Sequence, residues 1–288
     1  FKISNLTITS TKFIIIKYDA YIISNQYNNY LEKAIASLQS QTIKPEKIYI
    51  IDDFSKDNIG SSLQFNKENI SVFRNKFSAG RGFSRNLAYS ICKNDLVFSL
   101  DSTNVIDPNY VHKAIKLLYE TNAAAVYGRI INHQSLATAK YQWRNKYLFN
   151  GDFDYGNEEI DTESLSTYAT LTKRNHILQI GNFNKEMRHS EDQELAKRIK
   201  ANGLKIIASP NLFTYSVKEE NIFSMYERYW RWNYGYKKNV TMKELLTITK
   251  FFTSRAVKFE LKRLNFRLAF FTILCPTLGY LIYRHKVL

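Results

Sequence analysis

Four short blocks carry side chains that could do chemistry. The run Ile48-Tyr49-Ile50-Ile51-Asp52-Asp53 ends an apolar strand in two carboxylates. A carboxylate at the end of a buried strand is costly without a partner. A nucleobase imide N–H is one such partner; the start of a following helix is another. Gly80-Arg81-Gly82-Phe83-Ser84-Arg85 sets glycines and arginines at a helix start. There, backbone N–H groups and guanidinium can receive an anion, or the glycines can serve only to make a turn. Ser190-Glu191-Asp192-Gln193-Glu194 opens another helix, with Ser190 in position to cap it and acids where the helix dipole favours them. Arg228 and Arg231 share one helix face and could meet a diphosphate, while Trp232 offers a flat surface to a sugar ring. The alternative for this block is an amphipathic helix whose arginines reach past apolar surface to water.

The elements that would position these blocks alternate between strand and helix patterns. Phe13–Ile16, Tyr21–Ile23, Ile48–Ile51, Ile70–Phe73 and Leu96–Leu100 read as strands. Leu31/Ile35/Leu38 and Phe83/Leu87/Ile91 follow helical spacing, and Pro108 opens a helix carrying Val111, Ile115 and Leu118. A helix from Ser190 ends at Gly203, and the strand Leu204–Ala208 follows it. This order predicts an α/β fold, Rossmann-like, with a mostly parallel central sheet flanked by helices. In such a sheet, ligands bind outside the carboxyl ends of the strands. Residues 133–165 are polar and end acidic (Asp152, Asp154, Glu158, Glu159, Asp161, Glu163), which suits an acceptor loop or a surface excursion.

Hydrophobic residues at 44% against 23% charged ones argue for a folded core and against general disorder. Residues 218–288 hold 14 Lys/Arg against 5 Asp/Glu, so much of the net +15 lies near the C-terminus. That imbalance predicts an anionic partner such as lipid headgroups, or else a solvated basic helix. Leu268–Tyr283 is 16 uncharged residues long, short of the roughly 20 needed to span a bilayer, and holds Pro276 and Gly279. A monotopic or re-entrant segment is expected, with burial against the protein's own core as the alternative. Cys92 and Cys275 lie in apolar stretches and read as buried reduced thiols, which points to a reducing cytoplasm. The histidines lack the spacing of a zinc site. The sequence opens on Phe1 with no signal-peptide pattern, as expected of a segment beginning inside a longer protein.

As a set, these blocks resemble the family 2 inverting glycosyltransferases of the GT-A fold. The resemblance rests on Tyr27-Asn28, Gln41-Thr42, Asp52-Asp53-Phe54-Ser55, Gly80 and Ser84-Arg85-Asn86, in the family's order and spacing, and extends to about residue 235. It implies a nucleotide-sugar-binding and catalytic domain over 1–217 and a basic, aromatic helical extension over 218–288. It implies that Asn25 and Asp53 line the base and ribose pocket, with Asp53 accepting from a uracil imide, and that Tyr27 and Asp52 belong to the nucleotide-sugar site. Arg81 or Arg85 would help hold the nucleotide, and Asp101 the nucleoside. Glu191-Asp192 matches the family's catalytic pair, with Asp192 as the general base that takes the acceptor hydroxyl proton. Arg228, Arg231 and Trp232 match an Arg-x-x-Arg-Trp arrangement of family members.

Two positions depart from the pattern. The family's Asp-x-Asp metal motif reads Asp101-Ser102-Thr103 here, and no His follows Pro210. A neutral hydroxyl is a poorer ligand than a carboxylate for Mg²⁺ or Mn²⁺. Either Asp101 holds a metal weakly, or other cations neutralise the leaving diphosphate. The expected activity is transfer of a sugar from a nucleotide diphosphate, UDP by preference, to a hydroxyl of a glycan or lipid-linked glycan. The expected place is the cytoplasmic membrane face, with an anionic membrane surface as partner. A nucleotide-sugar-binding homologue without catalysis is the alternative. A basic nucleic-acid-binding module is a weaker one, since only the charge supports it, and no nucleic acid is expected as partner.

Overall fold

Residues 16–63, 69–149, 158–234 and 240–287 are described by the computed structural model. Phe13–Ile15, Asp152 and Asp154 fall outside them. The strand β1 (Tyr18–Ser24) leads to the helix α1 (Asn29–Gln39), whose start is set by Asn28. The Asn28 Oδ1 accepts from the amides of Tyr30 (3.0 Å) and Leu31 (3.1 Å). Leu31, Ala34, Ile35 and Leu38 then bury one stripe of the helix. Asn28→Ala is expected to cost about 1 kcal/mol of stability, read as a lower midpoint in denaturant; an unchanged midpoint would mean the cap contributes nothing. Gln41 ties the end of α1 across the molecule, donating to the Asp107 carbonyl (2.8 Å) and accepting from the Val111 amide (3.0 Å).

The chain continues through β2 (Lys47–Asp52), α2 (Ile59–Ser62), β3 (Ile70–Arg74), α3 (Arg81–Ile91), β4 (Leu96–Asp101) and β5 (Asn104–Ile106). Then come α4 (Tyr110–Glu120), β6 (Ala125–Asn132), α5 (Ala139–Tyr147), β7 (Ile160–Asp161), β8 (Ala169–Lys173), α6 (Arg174–Gln179), α7 (Glu191–Ala201) and β9 (Ile206–Ser216). The strands form one sheet in the order β3-β2-β1-β4-β8-β6-β9-β5, with β7 also on β9. By their pairings β1, β2, β3, β4, β6 and β9 run one way, and β5, β7 and β8 the other. Strand order reverses between β1 and β4, which opens a crevice at their carboxyl ends. Register carries Ser24 opposite Asp52, and Ile23 opposite Asp101, so the acids at the ends of β2 and β4 flank the end of β1.

Alternation along β1 divides the core. Tyr18, Ala20 and Ile22 pack with α1 and α4, whereas Tyr21 packs with Tyr89 of α3 and with Leu195 and Ile199 of α7. The strand expected at Leu204–Ala208 starts at Ile206 and runs on to Ser216, through Pro210.

After β9 the chain is helical among the described residues: α8 (Ile222–Tyr234), α9 (Met242–Phe252), a π turn over Thr253–Val257, α10 (Lys258–Lys262) and α11 (Phe266–Val287). These helices are not a free tail. With α5 they enclose a third core around Trp143, Tyr226, Tyr229, Leu268 and the buried Cys275. Trp143 donates to Thr272 Oγ1 at 3.1 Å. Pro276 and Gly279 do not interrupt α11, which is one helix of 22 residues. Gly279 is what lets it lie on α8, since a Cβ there would sit 2.5 Å from the Tyr226 carbonyl oxygen. By length and composition, Phe266–His285 could cross a membrane, but over a third of that stretch is buried against its own protein.

Candidate active site

Arg85 is the hub of the crevice. It lies on α3, almost wholly buried, with Nε donating to Glu191 Oε1 at 2.9 Å and Nη1 to the Tyr21 hydroxyl at 3.0 Å. Its Nη2 stands 3.5 Å from Asp101 Oδ1 at the end of β4. One guanidinium thereby joins the strand end to the first residue of α7. A buried cation facing two carboxylates holds both at a fixed separation, since moving either would leave a buried charge uncompensated. Its donors face the protein's own acids and Tyr21. Of the two arginines, Arg81 is the exposed one.

Asp192 follows Glu191 and behaves differently. Glu191 turns inward to Arg85, and Glu194 pairs with Arg198 at 2.6 Å. Ser190 makes no side-chain cap; it sits in the left-handed region at φ +60, a strained conformation of the kind found at functional sites. Capping therefore does not account for the acids. Asp192 stays half-buried, its Oδ1 accepting from the Gln193 amide at 2.8 Å. Burial, then the charge of Glu191, push its pKa up to about 6 against the opposing pull of Arg85 and Arg81. A carboxyl tuned near neutrality is suited to taking a proton at physiological pH.

On the other side of β1 the two acids of β2 part ways. Asp52 is fully buried; it accepts from the Ser55 amide (2.7 Å) and hydroxyl (2.9 Å), the Ile59 amide (3.2 Å) and Arg74 Nη1 (2.7 Å). These bonds hold the turn after β2. Asp53 is partly exposed and organises the approach to α3, accepting from Asn75 Nδ2 (2.9 Å) and the amides of Ala79 (2.8 Å) and Gly80 (3.2 Å). Asn25 is exposed just beyond the end of β1. Tyr27 packs on the core beside α1, and its hydroxyl bonds Glu32 of that helix. The amides at the start of α3 are not open to an anion either: Arg81 donates to the Arg188 carbonyl (3.4 Å) and Gly82 to that of Met187 (2.9 Å). Gly82 permits this approach, since a Cβ there would lie 2.1 Å from the Asn184 oxygen.

The charges of Arg81, Arg228 and Arg231 act on one another and on Lys218 and Arg144, two residues which sequence reasoning missed. Lys218 follows β9 directly, and the Val217 amide before it donates to the Thr103 carbonyl at 3.0 Å. Arg144 is buried, bonded to the Lys218 carbonyl (2.8 Å) and ion-paired to Glu220 (3.1 Å). Arg228 also pairs with Glu220, and Arg231 with Glu227 at 3.0 Å. Burial and the cations around it lower the Lys218 pKa. Burial, then Arg144, Arg231 and Arg81, push Arg228 down to about 9, with Asp101 opposing. Arg144, Lys218 and Arg228 thus share Glu220, Arg231 takes Glu227, and Arg228 feels the charge of Asp101 at the end of β4. Crowded, partly desolvated cations of this kind are strong attractors of a polyvalent anion. Trp232 is half-exposed beside them, with the Arg228 guanidinium 5.5 Å from its ring centre. The one local signal for Lys218 was its place, a cation just past the strand where the resemblance sought a histidine.

A divalent metal wants hard oxygen ligands, and Mg²⁺ in a phosphate site takes one or two carboxylates together with substrate phosphate oxygens and water. Among the described residues no three of His, Cys, Asp and Glu gather closely enough to hold one. Asp101 already shares an oxygen with Arg85, Thr103 is neutral, and the Arg228 charge also acts on Asp101. Any Mg²⁺ or Mn²⁺ here would draw on Asp101 for its protein carboxylate, with substrate oxygens and water completing the shell.

The sheet order, the crevice at its reversal and the acids at the strand ends define a glycosyltransferase domain of the GT-A type. Residues 20–177 match the glycosyl transferase family 2 domain, and the chain belongs to that family. It is 24% identical over 213 residues to a glycosyltransferase of Haemophilus influenzae, covering 69% of this chain and 65% of that one. It is likewise 24% identical over 176 residues to the O-antigen chain rhamnosyltransferase WbaN of Salmonella anatum, covering 59% and 56%. The chain thus spans less than two thirds of the length of each. Among solved structures, Staphylococcus aureus TarS 1–349 in complex with UDP-GlcNAc superposes with a TM-score of 0.56 at 14% identity, covering 94% and 92%. GalNAc-T7 with UDP, GalNAc and Mn²⁺ gives a TM-score of 0.56 at 14% identity over 72% of this chain and 44% of that one.

Proposed function

We propose that this protein is an inverting glycosyltransferase that moves a sugar from a nucleotide diphosphate, UDP by preference, to a hydroxyl of a glycan or lipid-linked glycan at the cytoplasmic membrane face. The observation that carries the reading is Asp192, a half-buried carboxyl with its pKa raised to about 6, beside the Arg85 network at the sheet's reversal point. In one step the acceptor oxygen bonds to the anomeric carbon from the side opposite the leaving group. The bond from that carbon to the diphosphate breaks, and Asp192 takes the hydroxyl proton. The electron pair leaves with the nucleoside diphosphate, whose charge meets Arg81, Lys218, Arg228 and Arg231. Asn25 and Asp53, beyond the ends of β1 and β2, would contact the nucleoside. The TarS complex and the rhamnosyltransferase likeness support a nucleotide-sugar donor and a polysaccharide or lipid-borne acceptor.

A thermal-shift screen of nucleotide sugars tests this, followed by NMR of the product's anomeric configuration. Stabilisation by a nucleotide sugar and a product of inverted configuration are expected. A chain that no nucleotide sugar stabilises, or a retained configuration, would overturn the reading. The departure at Thr103 favours a second reading, a donor-binding homologue without turnover. Retention of Asp192 with a base-like pKa speaks against it, and donor stabilisation without any transfer would establish it.

A further inference from the structure

We propose that the elbow between α10 and α11 is the surface by which this chain seats on an anionic phospholipid bilayer. The inference deepens the membrane location proposed above and rests on it. Helix α10 closes with the Asn265 amide donating to the Glu260 carbonyl at 2.9 Å, and the Asn265 Oδ1 then accepts from the Leu268 amide at 3.4 Å to start α11. In this kind of closure the residue after the helix is left-handed and is usually glycine. Here it is Leu264, at φ +55 and 75% exposed. An L-leucine both strained and open to water gains nothing for the isolated fold.

The surroundings agree. Phe259, Leu261, Phe266, Phe270 and Ile273 are each between 39% and 65% exposed. On α11 the last three fall at i, i+4 and i+7, one outward stripe. A groove of about 650 Å³ runs beside them, with Phe266, Phe270 and Phe271 lining it and Lys140 and Arg267 among its walls. An exposed apolar patch of this extent marks an interaction surface.

Charge identifies the partner. From Lys250 to Arg267 the cations are Lys250, Arg255, Lys258, Lys262, Arg263 and Arg267, and the one acid, Glu260, is buried and paired with Lys146 at 3.0 Å. Aromatic and aliphatic side chains ringed by lysine and arginine fit the acyl–headgroup boundary of an anionic leaflet. The seat is also rigidly joined to the site. Tyr226 of α8 donates to the Phe271 carbonyl at 2.5 Å, and α8 bears Arg228 and Arg231.

Deleting α11 would strip Leu268, Thr272 and Cys275 from the third core, so exposed point variants of the full chain are the proper probe. Wild type, Leu264→Asn and Phe266→Ser are sedimented with vesicles of phosphatidylcholine alone and with about one third phosphatidylglycerol. Wild type is expected to bind the anionic vesicles at least about tenfold better, and each variant to lose about fivefold or more of that binding. Leu264→Asn should at the same time keep or raise the melting temperature, because asparagine accepts the left-handed conformation. This opposite sign separates a docking role from a structural one. Variants that bind as wild type does, wild type indifferent to lipid charge, or a lipid-free dimer dissolved by Leu264→Asn would each overturn the proposal, the last by assigning the face to a second copy. Thermal shift with the donor is read on the same preparations. Vesicle binding lost in the variants while no donor stabilises any form supports the seat and removes only the transferase reading.

Discussion

Asp192→Asn is expected to lower turnover by about 10²-fold or more while leaving donor affinity nearly unchanged. A general base acts on a proton that moves only in the transition state, so its loss falls on the rate and not on ground-state binding. Asparagine keeps the shape and can still accept from the Gln193 amide, so the fold is not at issue. The same residue sets the pH profile. With the Asp192 pKa raised to about 6, only the ionised form accepts a proton, so kcat/KM should fall as pH drops through about 6. Burial is the larger cause of that shift and the charge of Glu191 the next. Glu191→Gln removes the repelling charge and frees Arg85 to act on Asp192. Both changes favour the carboxylate, so the acid limb should move to lower pH. A variant at position 192 that keeps more than about a tenth of wild-type turnover would place the base elsewhere. An acid limb that does not move in Glu191→Gln would sever the link between the two acids.

What was legible in the sequence is what short-range physics decides. Asn28 before a stripe of Leu31, Ile35 and Leu38 specifies a helix start, and the apolar runs ending at Asp52 and Asp101 specify strands whose ends lie together. The blocks that matched the family lie on those same elements. Roles set by long-range packing were not legible. The bond between Arg85 and Glu191 joins positions 106 apart, and nothing local distinguishes an arginine that grips a ligand from one buried under a carboxylate. Asp52 and Asp53 are neighbours in sequence, yet strand alternation turns one fully inward and leaves the other at the surface. Arg144 and Glu220 meet because α5 packs against the C-terminal helices, a partnership that a boundary drawn at residue 217 conceals. Ser190 looked like a cap because serine before acids usually is one; the left-handed turn that forgoes the cap is a property of the loop's closure against α3. Helix α11 passes through Pro276 because packing on α8, admitted by Gly279, outweighs one missing hydrogen bond.

Wild type in excess EDTA is expected to retain activity within about threefold of that in Mn²⁺, while Lys218→Ala or Arg228→Ala should lose about 10²–10³-fold in either condition. The argument begins at Thr103, a neutral residue where the resemblance has a second aspartate. Its carbonyl receives the Val217 amide at 3.0 Å, which ties the backbone beside Lys218 to the turn after β4. Lys218 and Arg228 are both partly desolvated and crowded by Arg144, Arg231 and Arg81, which is why their pKa values are lowered. A departing diphosphate relieves that repulsion as it gains charge, so these cations stabilise the transition state more than the ground state. A guanidinium supplies this without a metal, since Arg228, even with its pKa pushed down to about 9, remains protonated at neutral pH. The variants should still fold, because Glu220 keeps Arg144 at 3.1 Å when either other cation is removed. Folding is checked by melting temperature, and nucleoside diphosphate affinity by calorimetry in EDTA. Full loss of wild-type activity in EDTA, restored by Mn²⁺, would show that Asp101 and further oxygens make a working metal site and that the cations are secondary. Survival in EDTA with failure of the Lys218 and Arg228 variants would place the charge of the leaving group on this chain's own side chains.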